Sequence, residues 1–180
     1  LKTYKNENSD NLSIFVDKFD KKDTLKNNSP PFLLTSSQMQ LKDANFYLYD
    51  LNKQENEVVY YKSINGFVDD FKIEGPNVFA NIRDVSFTEN HDIGVTNLTT
   101  DFTFSRSKMT FENTELETSN SSINADINFN YKREELVDFN NKVRIDANFR
   151  KAEVSLIDLN KFYNELGKND KIRFTTKLNG

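Results

Sequence analysis

Two stretches of unbroken alternation constrain this fold more than anything else in the chain. Ile123, Ala125, Ile127, Phe129 and Tyr131 form one apolar series, and Val143, Ile145, Ala147 and Phe149 form another, each at every second position. Period two over that length marks a β-strand with one apolar face and one wet face. Between the apolar positions stand Asn124, Asp126, Asn128 and Lys132 in the first run, and Arg144, Asp146, Asn148 and Arg150 in the second. A sheet made of such strands is apolar on one side only.

The two runs share a short pattern: an aspartate, an apolar residue, a polar residue and another apolar one. It recurs as Asp43-Ala44-Asn45-Phe46, Asp70-Phe71-Lys72-Ile73, Asp84-Val85-Ser86-Phe87 and Asp101-Phe102-Thr103-Phe104. The gaps between copies are uneven, which argues against a solenoid of identical coils. Antiparallel strands joined by loops of unequal length fit better, so the expected architecture is a long one-sided meander whose strand order follows the sequence.

Apolar content is only 36% of 180 residues and is concentrated in 16 Phe and 7 Tyr, too little for a thick two-sided core. The 24 basic and 28 acidic residues are mixed throughout, so the chain lacks the concentrated positive field that nucleic acid requires. With no cysteine, disulfides and thiolate metal sites are excluded, while the compartment stays open. The longest apolar clusters, Phe32-Leu33-Leu34 and Val58-Val59-Tyr60-Tyr61, are far too short to span a bilayer. The start at Leu1 and the end just after an alternating run read as a piece of a longer chain, with any signal or anchor outside it.

Taken in order, the sequence predicts a first strand around Leu12, Ile14 and Val16, then a solvated charged turn at Asp17, Asp20 and Asp23 that lacks the spacing of a calcium loop. A joint is expected near 27–31, where Ser29-Pro30-Pro31 cannot continue a ladder. Two strands are expected between Phe32 and Tyr49. Val58 to Lys62 pairs back as a hairpin, Ile64 to Ile73 continues with Gly66 as a bulge or a close approach, and Gly75-Pro76-Asn77 turns into Val78 to Phe87. Leu98 to Phe104 and Met109 to Leu116 follow. One helix is expected, with Asp158 as N-cap, Leu159, Phe162, Tyr163 and Leu166 facing inward, and Gly167 closing it, placed to cap an end or edge of the sheet.

The residues offer no catalytic constellation. His91 is the only histidine, sits in the loop Glu89-Asn90-His91-Asp92 and has no nucleophile motif beside it. Asp69-Asp70 and Glu134-Glu135 are adjacent in sequence and so make poor acid–base pairs, and a phosphate-binding loop is absent from a chain with 5 Gly. The expectation is a protein that is not an enzyme and needs neither metal nor cofactor.

The passage Ser122-Ile123-Asn124-Ala125-Asp126-Ile127-Asn128-Phe129, and the run from Val154 to Phe162 leading through a short helix to a strand ending Leu178-Asn179-Gly180, resemble the AsmA-like repeats of TamB-type proteins. The richness in Lys, Asn and Phe resembles a Bacteroidetes member. The resemblance covers roughly Phe32 to the end. It implies a mostly β fold, an antiparallel meander curled into an open trough with one short helix near the C-terminus, lying in the periplasm as part of an inner-membrane-anchored protein. The implied partners are phospholipid acyl chains and, through regions outside this segment, outer-membrane assembly proteins. The expected lipid floor is Ile123, Ala125, Ile127, Phe129, Tyr131, Val143, Ile145, Ala147 and Phe149, with Asp126, Arg144 and Asp146 outside. The alternative is an extracellular adhesion or scaffolding domain built as a β-sandwich, two apolar faces covering each other.

Overall fold

A computed structural model describes residues 2–5, 30–51, 57–163, 165–166 and 170–180. The expected strand around Ile14, the turn at Asp17 to Asp23, the joint residues 27–29 and Gly167 lie outside the described residues. The fold is mostly β, one nine-stranded sheet whose order β1 to β9 follows the chain: β1 (Lys2–Lys5), β2 (Leu33–Asp50), β3 (Glu57–Glu74), β4 (Asn77–Glu89), β5 (Gly94–Phe104), β6 (Lys108–Thr118), β7 (Ser122–Asn130), β8 (Arg144–Ser155) and β9 (Lys171–Asn179). The sheet does not close into a barrel, since among the described residues β1 pairs only with β2 and β9 only with β8. Strands pack against their neighbours and against little else, so no second sheet covers either face among the described residues, and the sandwich alternative does not describe this fold.

Three expectations need correction. The meander is antiparallel from β2 onward, but β1 runs parallel to β2, so the sheet is mixed. Phe32 to Tyr49 holds a single strand of 18 residues instead of two. The helix is shorter and earlier than expected: it spans Leu156–Leu159 with Ser155 as its cap, the Ser155 hydroxyl accepting from the Ile157 N–H at 3.2 Å. Phe162, Tyr163 and Leu166 then lie exposed instead of inward. A further helical element, unexpected from the sequence, joins β7 to β8: a 3₁₀ turn at Arg133–Asp138 followed by one α-turn at Phe139–Lys142.

Every antiparallel strand pair contains a register shift near mid-strand. Five residues within these strands take the left-handed backbone although they are not glycine: Asp43, Ser63, Asp70, Asp84 and Asn113, with φ between 47° and 52°. Asp and Asn tolerate that region better than other L-residues. The repeated pattern of the sequence thereby acquires a physical meaning, because Asp43, Asp70 and Asp84 each open one of its copies. A bulge removes an N–H from the ladder, and at four of the five a side chain on a neighbouring strand takes it up. The Asp43 N–H donates to Asn65 Oδ1 at 2.9 Å, Ser63 N–H to Asn45 Oδ1 at 3.2 Å, Asp84 N–H to Thr99 Oγ1 at 3.1 Å and Asn113 N–H to Asp126 Oδ1 at 2.8 Å.

Bulges bend strands and sharpen their twist, and a row of them crossing a sheet folds it along a crease. Small residues mark the inside of that crease. Gly66, at φ 141°, faces β4 so closely that a Cβ there would sit 2.7 Å from the Val85 Cα. Val85, Thr100, Thr114 and Ala125 are buried although no layer covers them, which requires the larger side chains on the same face to converge above them. The apolar face is therefore the concave one, and the sheet is an open trough.

Candidate functional site

The concave floor is assembled by register. On β7 and β8, Ile123 stands opposite Ala152, Ala125 opposite Phe149, Ile127 opposite Ala147 and Phe129 opposite Ile145. A bulge at Arg150 switches the parity of β8, which brings Ala152 onto the floor with Phe149. Leu116, Thr114, Phe111 and Met109 of β6 continue the floor toward Leu98, Thr100, Phe102 and Phe104 of β5. Aromatic rings step across it: Phe102 to Phe111 at 5.1 Å between centroids, Phe111 to Phe129 at 6.0 Å, and Phe149 to Phe174 on β9 at 5.4 Å.

Seven of the nine expected floor residues, Ile123, Ala125, Ile127, Phe129, Ile145, Ala147 and Phe149, share this face within β7 and β8. Two stand apart. Tyr131 lies one residue beyond β7, buried, its ring beside Phe104 and its hydroxyl donating to the Ser105 carbonyl at 2.9 Å; burial pushes its pKa up to about 12. Val143 precedes β8 and ends the helical connection, its N–H donating to the Phe139 carbonyl. The floor also holds residues that the two alternating runs alone did not identify, Phe139 among them, whose ring lies 5.4 Å from Phe129.

This floor is apolar but not dry. Thr100 is the largest fully buried side chain of the described residues, at 0% exposure, whereas Ile145 is 41% exposed. A closed core buries its Leu, Ile and Phe side chains completely. Here the bulky groups are half-buried and only the crease is sealed, partly by the Thr100 and Thr114 hydroxyls, 2.9 Å apart.

The convex face carries a polar chain that follows the bulges. Arg83 donates to Asp101 at 2.6 Å, Asn113 Nδ2 donates to the other Asp101 oxygen at 3.0 Å, the Asn113 N–H reaches Asp126, and Asp126 accepts from Arg150. The hydrogen bonds from Asn113 and then Arg83 hold the Asp101 carboxyl below its ordinary range. At Asp126 partial burial pushes the other way but is outweighed by Arg150 and the Asn113 N–H, so its carboxyl too is lowered. Asp126 and Asp146 alternate with the floor residues and so lie outside, as does Arg144.

One rim of the trough carries a strap. Asp158 turns back from the short helix and accepts from Ser121 Oγ at 2.5 Å, Thr118 Oγ1 at 2.6 Å and Asn120 Nδ2 at 3.0 Å, at the end of β6 and in the turn that follows it. Lys161 then donates to the Asp92 carbonyl and Phe162 lies 4.7 Å from the His91 ring, both in the β4–β5 turn. His91 is held by Glu89 at 2.9 Å. The histidine thus sits in a contact between rim segments, with no nucleophile in its hydrogen bonds. No family model, curated protein or solved structure matches the chain.

Proposed function

We propose that this chain is a periplasmic segment of an envelope-spanning protein and offers its concave floor to the acyl chains of phospholipids moving toward the outer membrane. One observation carries the reading: a continuous floor of Phe, Ile and Leu stays half-exposed in a trough that nothing else in the described chain covers. Contiguous apolar surface of this extent on a soluble domain marks a surface meant to be occupied. An acyl chain needs no directional partner, which suits a floor whose sealed threonine hydroxyls, Thr100 and Thr114, are already bonded to each other and, at Thr100, to the Glu112 carbonyl. The reading includes no chemical step. The placement in the periplasm and a role in outer-membrane assembly rest on the resemblance to AsmA-like repeats.

The test is site-specific photo-crosslinking in exported protein, with a photoreactive residue at Ile127 or Ile145 on the floor and at Asn124 or Lys151, paired with each other on the outer face. Phospholipid adducts at the floor positions and none outside are expected. Equal capture on both faces, or none anywhere, would overturn the proposal.

A further inference from the structure

The rim opposite the strap differs from it in charge. It is formed by the start of β2, the β3–β4 turn, the β5–β6 turn and the β7–β8 connection, lined up by the pairs Leu33 with Glu74, Glu74 with Asn77, Val78 with Phe104, Phe104 with Met109, and Lys108 with Asn130 and then Arg144. Six strand spacings separate β2 from β8, a line of about 30 Å. Its turns carry Arg106, Lys108, Lys132, Arg133, Lys142 and Arg144. The acids among them are Glu74, Glu134, Glu135 and Asp138. Glu74 is held by Lys72 at 2.6 Å, Glu135 accepts from the Lys132 N–H at 2.6 Å and pairs with the Lys132 ammonium at 3.9 Å, and Asp138 pairs with Lys142 at 3.9 Å, which leaves Arg106, Lys108 and Arg144 outside these pairs. The strap rim reverses the balance, with Glu89, Asp92, Glu117, Asp158, Glu165 and Asp170 against Lys161 and Lys171.

The same basic rim exposes apolar side chains at its β2 end. Phe32, Leu33 and Leu34 are all exposed, Leu33 at 59%, and the Gly75 N–H fixes them beside the β3–β4 turn by donating to the Phe32 carbonyl at 2.8 Å. A line of lysines and arginines flanked by exposed Phe and Leu is what an anionic bilayer surface recognises, the cations meeting phosphate and the apolar groups entering the headgroup layer. We infer that this rim is a membrane-docking edge, specific for anionic phospholipid surfaces, with the acidic strap rim turned away from the bilayer. The inference goes beyond the lipid floor and does not rest on it: a chain that captures no acyl lipid but still docks would lose that reading alone.

The experiment is flotation of the whole chain with phosphatidylcholine vesicles, with and without phosphatidylglycerol, at low and high salt. Binding is expected only to the anionic vesicles and is expected to be lost at high salt. The triple variant Arg106→Gln, Lys108→Gln, Arg144→Gln should bind on the order of a hundredfold more weakly, about fivefold per charge removed. Leu33→Ser should weaken binding further. A matched triple away from the rim, Lys42→Gln, Lys62→Gln, Lys151→Gln, should float like the parent. All these side chains are exposed, and unchanged melting curves would verify that the variants fold. No flotation of the parent on anionic vesicles, equal flotation on neutral ones, or equal loss in the two triples would overturn the inference.

Discussion

At the scale of single residues, three of the aspartates that open the repeated pattern, Asp43, Asp70 and Asp84, shape the backbone. Asp84 sits at φ 50° in mid-strand, with its N–H held by Thr99. An alanine there keeps the hydrogen bond but meets the full cost of the left-handed region, so Asp84→Ala should lose about 1–2 kcal/mol in denaturant unfolding. Asp84→Asn should stay within about 0.5 kcal/mol, and Asp70→Asn likewise, because asparagine tolerates the same conformation. Gly66→Ala has no such escape: its Cβ would strike the Val85 backbone, and a loss of about 2–3 kcal/mol is expected. The repeat was visible in the sequence as a recurring Asp, but its meaning was not. A period-two reading treats each break in alternation as the end of a strand, whereas a bulge breaks alternation and lets the strand continue. That is why Phe32 to Tyr49 reads as two strands when Lys42-Asp43 merely shifts the parity of one.

At the scale of elements, the strap shows how a cap-forming residue can mislead. Asp158 has the side chain of an N-cap, and the sequence places it at a helix start; in the structure Ser155 takes that role and the aspartate serves the β6–β7 turn. The competing use could not be read locally, since Thr118, Asn120 and Ser121 lie far away in the chain. Asp158 is 8% exposed, and although burial pushes its carboxyl up, the hydrogen bonds from Ser121, Thr118 and Asn120 outweigh it and hold the group below the ordinary range. A carboxylate whose folded pKa is lowered adds stability above its unfolded value, about 3.9, and that stability is lost as pH falls through the folded value. Asp158→Ala should therefore cost about 1–3 kcal/mol at neutral pH, where it strands three donors, and should flatten the fall of melting temperature as the solution is acidified below about pH 4. Hydrogen exchange should speed up in the strap and the β6–β7 turn together. Acceleration confined to the strap would mean that Asp158 does not join the two.

At the scale of the whole molecule, the open trough makes an unusual division between positions that tolerate change and positions that do not. Alternation in the sequence identified the floor of β7 and β8 and its one-sidedness, but the crease depends on register between strands and was not legible there. In a closed core, a large apolar residue is the sensitive one, and a charge in its place costs several kcal/mol in a domain whose total stability is about 5 to 15. Here the order should invert. Ile145, on the open floor, can be replaced by lysine with the ammonium still reaching water, so Ile145→Lys should change unfolding free energy by no more than about 0.5 kcal/mol. Ala125, at 0% exposure in the crease, has no room above it, and Ala125→Leu should destabilise by about 1–3 kcal/mol by forcing the two walls apart. A small hydrophobic substitution would then do more harm to the fold than a buried-looking charge. Paired urea melts of the two variants decide the matter: the opposite ranking, with Ile145→Lys unfolded and Ala125→Leu tolerated, would mean that the floor is covered in solution and the trough is closed. If the ranking holds, Ile145→Lys also becomes the clean reagent for function, a folded chain whose apolar track is interrupted at one strand.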